Sequence, residues 1–219
     1  MFWNLTNTLI LGIPVKEKAG ASQKTGLIQC RFDVKRITRP QVASTHVTEA
    51  EAARTIWGGL KTAGINLVAT LPDVNLARLL YEIEQDSSVI HVPLCREEEG
   101  IGVCAGGYLV GKKCAAIMQN GGFFNSNNAI VSTLLQYQIP LLLVIYYAGD
   151  VGDRTFSTSG AMTEPVLQAL GIRYYVMRRA QEAAELIQRA QILAEDSKRP
   201  VALLLTKEVL GRRPALDGI

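Results

Sequence analysis

The chain has 219 residues, 48% of them hydrophobic and 20% charged, with a formal net charge of +3. That is enough apolar material for one substantial core, and no apolar run reaches the roughly 18 residues that a membrane span needs. The four cysteines (Cys30, Cys95, Cys104, Cys114) form no C-x-x-C and have no histidine cluster beside them, which argues against a zinc site and for reduced thiols in a cytoplasmic protein.

The charge is unevenly placed. Residues 1–43 carry seven Lys/Arg against Glu17 and Asp33, a balance of +5 that leaves −2 for the remainder. This pattern marks residues 1–43 as a basic, poorly ordered N-terminal extension ahead of an α/β domain over residues 44–219. Nucleic-acid binding and targeting are its functional readings. No interleaving of aromatic and basic residues supports the first, and the opening segment lacks the basic n-region of a secretory signal.

From Thr48 the elements follow in order. Thr48 and Glu51 form a capping box for a helix over 48–60. A buried strand over 65–72, a helix over 74–85 and a strand over 88–94 come next. Then follow a helix over 97–111, a strand over 112–119, a helix over 125–138 and a strand over 139–149. The last four elements are a helix over 163–171, a strand over 173–177, a helix over 180–196 and a strand over 199–206. Strand–helix alternation at this spacing predicts a three-layer fold, a parallel sheet with helices on both faces. Ligands of such sheets bind beyond the carboxyl ends of the strands. There the loops PLCREEEG, MQNGGFFN and YYAGDVGDR would gather.

One motif fails on inspection. Gly106 to Lys112 satisfy G-x-x-x-x-G-K, but Lys113 stands where a phosphate-binding loop needs Ser or Thr. The order is also reversed, helix before strand, so Gly111 reads as a helix C-terminal glycine. The triplet Glu97–Glu98–Glu99 is more informative. Carboxylates suit a first helical turn, yet at a strand's carboxyl end, ahead of an apolar helix, one of them can be desolvated for proton chemistry. Asp73 reads from its position as an N-cap for the next helix. His91, inside an apolar strand, reads as a core residue.

These segments together, REEEGIGVCAGGYLVGKK, MQNGGFFNSNNAI and YQIPLLLVI, resemble the pyrimidine-binding domain of thiamine-diphosphate enzymes. Within that superfamily they are most similar to the sulfopyruvate decarboxylase alpha subunits, with phosphonopyruvate decarboxylases as near kin. The resemblance spans residues 45–207. It implies a lyase that converts sulfopyruvate to sulfoacetaldehyde and carbon dioxide, a step towards coenzyme M or another small sulfonate. It places the superfamily's glutamate on Glu98, whose carboxyl group would hydrogen-bond the cofactor's aminopyrimidine, and makes Asp73 a second catalytic candidate. Gln119, Asn120 and Gly121 fall on the loop that lines the cofactor, and Phe123, Asn125 and Arg154 are substrate candidates. Relatives carry an arginine where this chain has Ala148, which leaves Arg154 as the loop's remaining guanidinium. No GDG segment is present, so thiamine diphosphate and Mg2+ are expected to be held mainly by a beta subunit in an α2β2 or larger hetero-oligomer. Phosphonopyruvate or another 2-oxo acid is the alternative substrate. A non-catalytic module that binds a nucleotide or a partner is the alternative of another class.

Overall fold

The computed structural model describes residues 47–212. The expectations for the basic extension therefore lie outside the described residues. Helix α1 spans Glu49–Thr62. Its start is fixed as the sequence predicts: Thr48 Oγ1 accepts from Glu51 N at 3.3 Å, and Glu51 Oε2 accepts from Thr48 N at 2.9 Å. The remaining elements alternate in chain order. They are β1 Leu67–Thr70, α2 Ala77–Glu84, β2 Ile90–Pro93, α3 Glu97–Leu109, β3 Cys114–Gln119, the short helices α4 Asn120–Asn125 and α5 Asn127–Ala129, a π-helical segment Ile130–Leu135, β4 Leu141–Tyr146, α6 Ser157–Ala169, β5 Arg173–Met177, α7 Ala180–Ser197 and β6 Pro200–Leu205.

The six strands of the described residues pair in parallel in the order β2-β1-β3-β4-β6-β5, the predicted three-layer α/β fold. Central strands β4 and β6 are buried at every position, which is why they read as unbroken apolar runs. The edge strands are partly exposed, and Pro93, lacking an amide proton, closes edge strand β2. One core lies under α1, α2 and α7, where Val68, Ile117, Val144 and Leu203 meet Ile56, Leu79 and Ile187. The other lies under α3, α4, the π-helical segment and α6, and gathers Met118, Leu143 and Leu204 with Ile101, Phe123, Ile130 and Leu167.

Three local readings change. Residues 120–124, expected as a loop, are helical. The glycines there, unfavourable in a helix, allow close packing: a Cβ on Gly122 would overlap the Glu97 side chain. The following helix is not uniform but contains the π-helical turn. Helix α6 begins at Ser157 rather than Thr163, because Phe156 turns the chain at φ +61° and Gly160 then packs on Gly149. The C-terminus of α3 follows the prediction. Gly111 has φ +81°, its amide donates to Tyr108 O at 2.9 Å, and Lys112 N donates to Gly107 O at 2.9 Å, a Schellman closure.

Candidate functional site

Four of the connections at the sheet's carboxyl end carry the candidate residues: 71–76 after β1, 94–96 after β2, the β3–α4 junction and 147–156 after β4. The glutamate triplet opens α3, where the helix N-terminus favours negative charge. Its three members have different surroundings. Glu99 Oε2 accepts from Cys95 N and Arg96 N at 3.3 and 3.2 Å, so Glu99 caps the helix. The Glu97 side chain lies against Gly122. Glu98 Oε1 pairs with Arg96 Nε at 2.7 Å, while Glu98 Oε2 is buried and has no hydrogen-bond partner. A buried oxygen without a partner is costly unless something supplies one.

The N-cap of α2 is Leu76, without a side-chain cap, and not Asp73, which stands one turn earlier. Asp73 Oδ1 accepts from Asn75 N at 2.7 Å and Leu76 N at 3.3 Å, which shapes the turn before α2. Its Oδ2 accepts from Gln119 Nε2 at 3.2 Å, so the structure joins these two candidates. Asp73 also borders a groove of about 530 Å3 with Thr70, Leu80, Tyr81 and His91. His91 is half-buried on the edge strand rather than in the core, and its Nε2 lies 2.8 Å from Thr70 Oγ1.

Two candidates sit elsewhere than expected. Phe123 is wholly buried in the core beneath the sheet, so its ring offers no atom to a substrate. Asn120 is also fully buried. Its Nδ2 donates to Ala148 O at 2.8 Å and Thr163 Oγ1 at 2.9 Å, tying β3 to β4 and α6, while its Oδ1 is buried without a hydrogen-bond partner. Gly121 is half-buried beside the Gln119 side chain, whereas Asn125 and Arg154 are exposed. Ala148 is fully buried and presents no side chain to a ligand.

Sequence reasoning did not find the cluster around Asp153. This carboxylate accepts from Tyr146 OH at 3.0 Å, Gly149 N at 3.2 Å and Lys207 Nζ at 2.8 Å. Burial pushes its pKa up, but the Lys207 ammonium, the Gly149 and Thr155 amides and the Tyr146 hydroxyl outweigh that and hold it at about 2. The Tyr146 phenol is raised well above the usual range, first by burial and then by Asp153. Lys207 lies 54 positions from Asp153, and only their shared place at strand carboxyl ends could have signalled the pair. Cys104 and Cys114 are buried and free, as expected of core thiols. Among the described residues, no three His, Cys, Asp or Glu side chains cluster to hold a metal ion, and no helix is long and apolar enough to cross a membrane.

No protein-family model matches the chain. The sulfopyruvate decarboxylase subunit alpha of Methanococcus maripaludis is 37% identical over 156 residues, which cover 70% of this chain and 93% of that protein. The subunit of the same name from Methanocaldococcus jannaschii is 40% identical over 151 residues, 68% and 89% of the two chains. A phosphonopyruvate decarboxylase of Streptomyces viridochromogenes is 29% identical over 102 residues, 47% of this chain and 26% of that one. Among solved structures, a 2-oxoglutarate:ferredoxin oxidoreductase from Magnetococcus marinus superimposes with a TM-score of 0.57 at 13% identity, over 73% of this chain and 29% of that one; it supports the fold alone. With near full-length matches well above 30% identity to two alpha subunits, the chain belongs to the sulfopyruvate decarboxylase alpha-subunit family.

Proposed function

We propose that this chain is the alpha subunit of a two-component, thiamine-diphosphate-dependent lyase that decarboxylates sulfopyruvate to sulfoacetaldehyde. Family membership supports the substrate class. The observation that carries the chemistry is Glu98 Oε2, buried and unpartnered at the carboxyl end of a parallel sheet. That atom fits a hydrogen-bonding edge such as the cofactor's aminopyrimidine. When bound, thiamine diphosphate supplies the electron sink for loss of carbon dioxide from a 2-oxo acid.

This chain's share is to bind and to move protons. Arg96 occupies Glu98 Oε1, so the proton that Glu98 exchanges with the cofactor is carried on Oε2. Glu99 fixes the helix start from which Glu98 projects. Asp73 and Gln119 hold each other across β1 and β3, which supports Asp73 as a hydrogen-bonded second acid at the same end of the sheet. The diphosphate and Mg2+, which require hard oxygen ligands, fall to a beta subunit carrying GDG, with the site shared between chains in the cytoplasm.

Calorimetry tests the shared site. Thiamine diphosphate with Mg2+ is expected to bind tightly to the complex of this chain with its genomic partner and not to the chain alone. Equally tight binding by the chain alone would overturn the division of the site.

A further inference from the structure

The loop 149–156 occupies the carboxyl end of β4, yet it is built unlike a solvent loop. Asp153 has a side chain only 4% exposed and joins Tyr146 at the end of β4, Gly149, Thr155 and, after β6, Lys207. At the loop's start, Asp150 is gripped by Arg178 at 2.6 and 3.1 Å, two parallel charge-assisted bonds. Asn120 holds the Ala148 carbonyl. Gly149 and Gly160 touch so closely that a Cβ on either would overlap the other's segment. The loop then leaves through Phe156, a bulky residue held at φ +61°. Such a conformation persists only where the surroundings impose it. This anchored loop exposes Val151, Gly152, Arg154, Thr155 and Phe156, of which Arg154 alone is charged. Both neighbouring cations, Arg178 and Lys207, are already paired within it. Arg154 makes no ion pair among the described residues.

We infer that Asp153 is a positioning residue: by locking loop 149–156 to Tyr146 and Lys207, it presents the Arg154 guanidinium to the second anionic group of the substrate. This rests on the sulfopyruvate reading above. A guanidinium suits a sulfonate, and a donor on an anchored loop binds with less ordering cost than one on a mobile loop. Buried Ala148 leaves that task to another residue of the loop.

The test uses the complex with the beta subunit and four variants, Asp153→Asn, Lys207→Met, Lys207→Arg and Arg154→Ala. KM and kcat for sulfopyruvate are measured together with amide hydrogen exchange over 149–156. Losing a charge-assisted contact corresponds to about tenfold or more in affinity. Asp153→Asn, Lys207→Met and Arg154→Ala should therefore raise KM by about that factor with kcat little changed, while Lys207→Arg stays near wild type. Exchange should rise within 149–156 for Asp153→Asn and Lys207→Met, and not for Arg154→Ala. A fall in kcat at constant KM, or unchanged exchange in Asp153→Asn, overturns the assignment. If the wild-type complex leaves sulfopyruvate untouched, the substrate reading falls and so does the role given to Arg154. The exchange result then decides the locking by itself: a rise confined to 149–156 supports it, and none overturns it.

Discussion

Replacing Glu98 by Gln should lower decarboxylation by the complex about a hundredfold to ten-thousandfold, the range of a lost general acid–base group, with folding and assembly intact. Gln has the same shape, and the start of α3 is fixed by Glu99 rather than by Glu98. What the variant loses is a proton that can be exchanged at Oε2, the buried oxygen without a partner. The neighbouring residues are the control. Glu99→Gln weakens a helix cap and should cost about 1 kcal/mol of stability, and Glu97→Gln alters packing beside Gly122; neither should approach the kinetic loss at Glu98. Carbon dioxide release and melting temperature are the two measurements. Equal kinetic losses at all three positions would reject the assignment to Glu98.

Gly149→Ala should be the most destabilising small change in the described residues. Gly149 has φ +81°, a conformation that costs an L-residue about 1–2 kcal/mol. The added methyl would also run into the Phe156 carbonyl and the Gly160 amide, backbone atoms that cannot rotate away. Together a loss of roughly 3–5 kcal/mol is expected. Gly102→Ala is the counterpart, since nothing lies within 4 Å of the new Cβ and a helical alanine is worth up to about 1 kcal/mol more than glycine. Chemical denaturation of the full chain reads both. A Gly149→Ala protein as stable as wild type would show that loop 149–156 yields easily, contrary to its tethering.

Local signals made much of the fold legible. Thr48 with Glu51, Gly111 after an apolar helix, and the unbroken runs of β4 and β6 each state their conformation within a few residues. Asp73 was legible only as a turn residue: its Oδ1 holds Asn75 N and Leu76 N, while the N-cap of α2 is Leu76. Glu98 was set apart from Glu97 and Glu99 by the resemblance and not by any local signal. Elsewhere the deciding partner is remote. Residues 120–124 are helical because Gly122 packs on Glu97, a contact that outweighs the poor propensity of paired glycines. Asn120 turned out to be a buried tie because Ala148 and Thr163 lie beside it only once β3, β4 and α6 are assembled. Phe123 looked like a pocket residue while its segment was read as a loop, but on a helix it points into the core. The Asp153–Lys207 pair spans two strand ends that only the order β4-β6 makes neighbours. His91 read as core because its strand is apolar, yet β2 lies at the sheet's edge.

The pH behaviour of Asp153 follows from the same network. Its folded pKa, about 2, lies below its ordinary value of 3.8. The ion pair's contribution is thus fully present above the ordinary value and is lost as pH falls through the folded one.

Carbon dioxide release from sulfopyruvate is the most direct measurement, made with this chain mixed with its genomic partner, thiamine diphosphate and Mg2+, and with each chain alone. Turnover in the mixture and none in either single chain is the expected result. Turnover by this chain alone, or a stable complex that leaves sulfopyruvate intact, would contradict it.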